Sequence, residues 1–114
     1  MSSTLTPIEC CVPLAAPVLS EDEAEATAAV YAALASAARV RIVNLLGTSE
    51  DPVCLCNLLE PLGLAQATIS QHLKRLVDVG LVDREERGKW SYFSINRESM
   101  TRVAALAHPK GVCC

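Results

Sequence analysis

Aromatic side chains are scarce in this chain: one Trp, two Tyr and one Phe make up 4% of 114 residues, although apolar residues reach 51%. An aromatic-rich sheet is therefore excluded as the main core. The Ala, Val and Leu that fill the gap point to close-packed helices. No apolar run reaches the roughly 18 residues that a membrane-spanning helix needs. Lys and Arg are missing from residues 1–33, which hold five acids (Glu9, Glu21, Asp22, Glu23 and Glu25). Without a basic start, and with Pro7, Glu9, Pro13 and Pro17 interrupting any apolar segment, a secretory signal is not expected, so the reading is cytoplasmic. A charged fraction of only 20% argues against wholesale disorder. The length suits one domain.

Catalytic patterns are missing as well. A phosphatase-type arsenate reductase cradles its oxyanion with Cys-x5-Arg. The position where that Arg would stand after Cys10, Cys11, Cys54 and Cys56 is Ala16, Pro17, Glu60 and Leu62 respectively. No Ser/His/Asp set or paired-carboxylate cleft is apparent, and the chain reads as a non-enzyme. What it does have is six cysteines in three pairs: Cys10-Cys11, Cys54 with Cys56, and Cys113-Cys114. Adjacent cysteines bridge each other poorly because the intervening peptide strains the disulfide. In a reducing compartment, clustered thiols bind soft metals or carry redox chemistry.

The net charge of −3 hides an asymmetry. Residues 64–97 hold six bases (Lys74, Arg75, Arg84, Arg87, Lys89 and Arg97) against four acids. Phosphate binding depends on the local face rather than on the sum, so this half is compatible with nucleic acid.

Periodicity divides the chain into an arm over residues 1–20, a helical domain over 21–107, and a tail over 108–114. Ser20 and Glu23 form a capping box for a first helix from Glu21 to Ser36. Its Ala-rich surface allows close approach by another helix, of this chain or of a partner. A second helix is expected from Ala37 to Leu46, with Val40, Val43, Leu45 and Leu46 inward and Gly47 at its end. Asp51 as N-cap and Pro52 in the first position predict a third helix, with Leu55, Leu58 and Leu59 buried. Ile69, Leu73, Leu76 and Val77 form the stripe of a fourth helix over 66–79. Gly80 stops it, and a β-hairpin turns at Arg87-Gly88-Lys89. A last helix spans about 98–107.

The expected fold is mainly α with a small β-hairpin wing, in the order α-α-α-α-β-β-α. A short helix, a Gly turn, a second helix with small polar residues outward and a basic-tipped hairpin make a winged helix-turn-helix. Gln, Ser and Thr at the leading turns of the fourth helix can reach base edges or phosphates, and Lys74 suits a phosphate. Arg84, Arg87 and Lys89 sit on the hairpin where a minor groove or flanking phosphate would lie.

The stretch Leu62-Gly63-Leu64-Ala65-Gln66-Ala67-Thr68-Ile69-Ser70-Gln71-His72-Leu73-Lys74-Arg75-Leu76, followed by Val79-Gly80-Leu81-Val82, resembles the signature of the ArsR/SmtB bacterial transcriptional repressors. Residues 38–46 resemble that family's second helix, and the likeness covers about residues 21–107. It implies a homodimer built on the first and last helices, bound to an inverted-repeat operator and released by a metal or metalloid. Gln66, Thr68, Ser70 and Gln71 match the DNA-reading positions, while His72 reads as a packing or hydrogen-bonding residue. The chain departs from the family at Ala65, where Ser is common; losing that cap costs ~1 kcal/mol locally.

Cys54-Leu55-Cys56-Asn57-Leu58 resembles the Cys-Val-Cys-Asp-Leu motif of the family's arsenic sensors. The third cysteine of those sensors is replaced here by Leu59. As(III) takes three thiolates in a pyramid, so the resemblance implies a donor from the Cys10-Cys11 pair, as in members whose N-terminal pair reaches across the dimer. Antimony(III) fits equally. In a regular helix Cys54 and Cys56 diverge by about 200°. That favours Cys54, near the helix start and facing the surface, as the thiolate joined by the arm. Tying this helix to the arm would shift the reading helix, and a coupling of ~1–3 kcal/mol lowers affinity roughly 5- to 150-fold. The rival readings are a thiol-redox or persulfide switch on the same fold, and a metallochaperone. Cys113 and Cys114 form a second soft-ion site, a spare chelator or a free tail.

Overall fold

The structure, a computed structural model, describes residues 19–107. The arm with Cys10 and Cys11 and the tail with Cys113 and Cys114 lie outside these residues. Helix α1 spans Glu21–Leu34 and α2 spans Ala37–Gly47. The Ser20 hydroxyl accepts from the Glu23 amide at 3.1 Å, and the Glu23 carboxylate accepts from the Ser20 amide at 2.8 Å, closing the expected capping box. These bonds hold the Glu23 carboxyl below its usual pKa. Ser36 caps α2 in turn. The chain turns by 100° between the two helices. Among the described residues no single helix is long and apolar enough to cross a membrane.

The third helix is not formed as the Asp51-Pro52 signal predicts. Val53–Cys54 is instead a two-residue strand, β1. A 3₁₀ turn over Leu55–Leu58 follows, and then a single α-turn, α3, over Leu59–Leu62. The reason is non-local: β1 pairs antiparallel with the far strand of the wing, which would otherwise present an open edge. Val53 is β-branched and suits that edge. Cys54, not Asp51, then caps the following turn. Pro61 lies inside α3 rather than breaking it.

Gly63, at φ 66°, closes α3 in the left-handed conformation and leads into α4, Gln66–Asp78. Ile69, Leu73 and Leu76 are fully buried, as their spacing predicts. Ala65 occupies the N-cap with no side-chain bond. At the other end Gly80, at φ 83°, completes a Schellman motif: Leu81 N–H donates to Leu76 O at 3.1 Å and Gly80 N–H to Val77 O at 2.9 Å. Leu76 and Leu81, both solvent-free, are the apolar pair that accompanies this motif.

Strands β2 (Val82–Arg87) and β3 (Trp90–Ile95) form the wing. The sheet order is β1-β3-β2, all antiparallel, so the hairpin gains a third strand that the sequence reading lacked. Helix α5 spans Arg97–Ala107. Asn96 starts it by accepting from the Ser99 amide at 2.9 Å and ties it to β2 by donating to Asp83 at 3.2 Å.

The core gathers Ile42 and Leu46 of α2, Leu58 and Leu62, the α4 stripe, Leu81, Val82, Phe93 and Ile95. Val40, expected inward, is 50% exposed and lines a shallow groove with Arg41 and Pro61. Ile42 takes the inward place. The arginines beside it act as struts. Arg39 donates through Nε to Ala33 O at the end of α1, and its Nη1 lies 3.2 Å from His72 Nδ1 on α4. Arg41 donates to Pro61 O at 2.7 Å.

Candidate nucleic-acid interface and thiol site

Successive helical residues are rotated by about 100°, so the buried stripe of α4 leaves Gln71 almost opposite the core. Gln66, Thr68, Ser70, Gln71 and Lys74 are all exposed. Lys74 pairs with Asp78 at 3.2 Å across one turn, both side chains largely in solvent, an arrangement of little net value. Within this face the polar side chains of the first two turns bond to no other described residue and suit hydrogen bonding in a groove. His72 is half-buried and held by Arg39, which agrees with a packing and hydrogen-bonding role.

The wing is arranged differently. Arg84 Nε donates to Glu86 Oε2 at 2.5 Å and its Nη2 to Ser91 at 3.2 Å, with the guanidinium 5.9 Å from the Phe93 ring centroid. Arg87 makes a bidentate pair with Glu85 at 2.9 and 3.2 Å and lies 4.5 Å over the Tyr92 ring. That pair lowers the Glu85 carboxyl below its usual pKa and raises Arg87. Over β2 and the tip, three bases face three acids. Lys89, in the turn after Gly88, is exposed and makes no ion pair with another described residue. Arg84 and Arg87 lie on the wing as expected, and each has an acidic partner that the expectation did not include. The signal was available: in Arg84-Glu85-Glu86-Arg87, residues two apart share a strand face.

Cys54 and Cys56 come together at the entrance to the helix-turn-helix. Cys54 is buried, at 6% exposure, and Cys56 is exposed, the reverse of the surface position expected for Cys54. Cys54 lies in β1, the edge strand paired with β3, and the 3₁₀ turn that follows carries Cys56 outward. The Cys56 amide donates to Cys54 Sγ at 3.4 Å, and the Cys56 thiol faces Asn57 Oδ1 at 3.8 Å. The Cys56 pKa is raised, chiefly by the hydrogen bond with the Cys54 side chain and then by desolvation. The 200° divergence of a regular helix does not apply, because neither cysteine lies in an α-helix. The donor set is two soft thiols from one turn, which suits a thiophilic ion. No group of three or more Cys, His, Asp or Glu ligands occurs among the described residues. Cys10 and Cys11 lie outside those residues.

Known proteins share this fold. Residues 36–84 match the family model described as bacterial regulatory protein, arsR family. The chain is 34% identical over 103 residues to the ArsR2 protein of Halobacterium salinarum, covering 90% of this chain and 84% of that protein. It is 32% identical to the arsenical resistance operon repressor of Bacillus subtilis, over 74% of this chain and 75% of the relative. A homodimeric winged helix-turn-helix DNA-binding domain from Mycobacterium bovis superposes with a TM-score of 0.64 at 27% identity, covering 81% of this chain and 86% of that one. HlyU from Vibrio cholerae, at 23% identity and a TM-score of 0.65, shares the fold. With an exposed polar face on α4, a three-stranded wing beside it and relatives matched over most of their length, this chain belongs to the ArsR family of winged helix-turn-helix transcriptional regulators.

Proposed function

We propose that the chain is a cytoplasmic, arsenic-responsive repressor. As a homodimer it binds an inverted-repeat operator in double-stranded DNA, and As(III), or Sb(III), coordinated by cysteine thiolates releases it. The carrying observation is the placement of two cysteines in one turn, Cys54 and Cys56, linked by the Cys56 amide–Cys54 Sγ hydrogen bond, immediately ahead of the helix-turn-helix. Their third partner is Cys10 or Cys11 from the arm of the same or the partner subunit. The arsenical resistance relatives support the choice of ion.

Gln66, Thr68, Ser70 and Gln71 read base edges or phosphates, Lys74 binds phosphate, and Arg84, Arg87 and Lys89 flank the site from the wing. Dimerisation through α1 and α5 is supported by their outward faces and by the homodimeric neighbour. Tyr31 and Leu106 are exposed apolar residues on these two helices, and Tyr31 Oη donates to Val103 O at 2.8 Å, locking one helix to the other.

Fluorescence anisotropy on a duplex selected by this protein from a random pool, titrated with arsenite, tests the reading. Changing Cys54 or Cys56 to Ser, or Cys10 and Cys11 together, is expected to abolish release. Cys113→Ser and Cys114→Ser should change little. Normal release by the Cys10/Cys11 double variant removes the arm from the site. Release by peroxide but not arsenite moves the function to thiol redox.

A further inference from the structure

The strand that carries Cys54 belongs to the same sheet as the wing, and the register defines a row across it. Cys54 on β1 is paired with Tyr92 on β3, and Tyr92 is paired with Glu85 on β2. Directly paired antiparallel residues project to the same face, so these three side chains are neighbours across the sheet. Arg87 lies two residues along β2 from Glu85, on that same face, and is paired with Trp90. Its guanidinium covers the Tyr92 ring at 4.5 Å while also donating to Glu85. Tyr92 thus stands between the buried thiol and the arginine nearest the wing tip.

We propose that Tyr92 is a positioning residue that transmits the state of the Cys54–Cys56 site to the wing through the Arg87 guanidinium. The inference rests on the reading that these thiols bind As(III). Ligation requires the Cys54 and Cys56 sulfurs to converge on one ion, which replaces the contact between Cys54 Sγ and the Cys56 amide. β1 is held by only two residue pairs, so it is the part of the sheet that yields when Cys54 turns. Tyr92 is the next side chain in the row. When its ring shifts, Arg87 loses the surface it stacks on, and the tip bearing Lys89 and Trp90 leaves its DNA-bound position. Release then runs through the wing as well as through α4.

Trp90 is the only tryptophan of the chain and is half exposed at the tip, so its emission reports the wing directly. The experiment follows three signals in the full-length protein during arsenite titration: arsenic–thiolate absorbance for binding, Trp90 emission for the wing, and anisotropy of the selected duplex for release. The wild type should show an emission change with the same midpoint as the absorbance. Tyr92→Leu and Arg87→Met should keep the absorbance change, lose the emission change, and lower the release ratio several-fold, to the share carried by α4 alone. Release is read as the ratio of affinities with and without arsenite, so a shift in basal affinity cancels. Tyr92→Phe keeps a ring under Arg87 and should restore both signals. Full release by Tyr92→Leu and Arg87→Met, with absorbance intact, overturns the relay and leaves the sensing reading in place. A wild type without arsenic–thiolate absorbance overturns the sensing reading itself, and the relay with it.

Discussion

Helix α4 and the β2–β3 wing both display polar and basic side chains, but they hold them in opposite states. On α4 the side chains of Gln66, Thr68, Ser70 and Gln71 are exposed and make no hydrogen bond with another described residue. On the wing, Arg84 and Arg87 are each engaged by a glutamate of their own strand and by an aromatic ring. A helix in the first state can form new bonds in a groove without breaking old ones. A wing in the second state must exchange internal ion pairs for phosphates, which leaves a small net gain because both alternatives are solvent-screened. Base reading and most of the affinity are therefore expected of α4, with the wing as an adjustable flank.

The largest test of this contrast is Gln71→Ala. Gln71 faces away from the core, so its loss should leave the stability of the domain almost unchanged while removing the proposed base contact, worth ~1–3 kcal/mol. Operator affinity should fall by roughly 5- to 150-fold, measured by anisotropy at fixed salt, with an unaltered melting curve. A smaller loss than that of Arg87→Ala would invert the ranking of helix over wing. Next in size is Ala65→Ser, which supplies the side-chain cap that α4 lacks. It should stabilise the domain by ~1 kcal/mol. Thermal unfolding should then rise by roughly 4–8 °C.

The same contrast governs what could be read from the sequence. The α4 stripe of Ile69, Leu73 and Leu76 was legible because a helix answers to a period within its own residues, and Gly80 was legible because a left-handed residue at a helix end is a local demand. The strand at Val53–Cys54 was not. Its local signal, Asp51-Pro52, favours a helix start, and the pairing that overrides it is made with Phe93 and Tyr92, some forty residues later. With that strand went the burial of Cys54, so the surface position expected of this proposed ligand is not the observed one. Arg39 and Arg41 illustrate the same limit: nothing in their spacing tells that one reaches Ala33 and His72 and the other Pro61. The wing pairs were legible in principle, since Arg84/Glu86 and Glu85/Arg87 share faces by simple alternation.

Freeing the wing gives a smaller effect than either helix variant. Glu85→Gln together with Glu86→Gln removes the internal competitors for Arg84 and Arg87. DNA affinity should rise ~2- to 5-fold at low salt. The dependence of log affinity on log salt should steepen by about one phosphate contact or more. An unchanged slope would mean that the wing arginines stay away from phosphate even when released.

The smallest effect is the acid titration of the wing. Arg87 holds the Glu85 carboxyl below its usual pKa, first by hydrogen bonding and then by charge. A depressed folded pKa stabilises the paired state fully above the unfolded value, and this contribution is lost as pH falls through the lowered folded value. Arg87 remains charged throughout, so protonation of Glu85 releases a cation beside Trp90, its partner in register. Trp90 emission should therefore show a weak transition on the acid side of the ordinary glutamate range, absent from Glu85→Gln. Glu23 titrates in the same region because Ser20 lowers its pKa, but it caps α1, remote in sequence and element from the wing. Helix content followed by circular dichroism registers that loss separately, and Ser20→Ala should abolish it while leaving the tryptophan transition in place. If Glu85→Gln keeps the tryptophan transition, the pair with Arg87 does not set the position of the wing tip, and the wing is freer than its ion pairs imply.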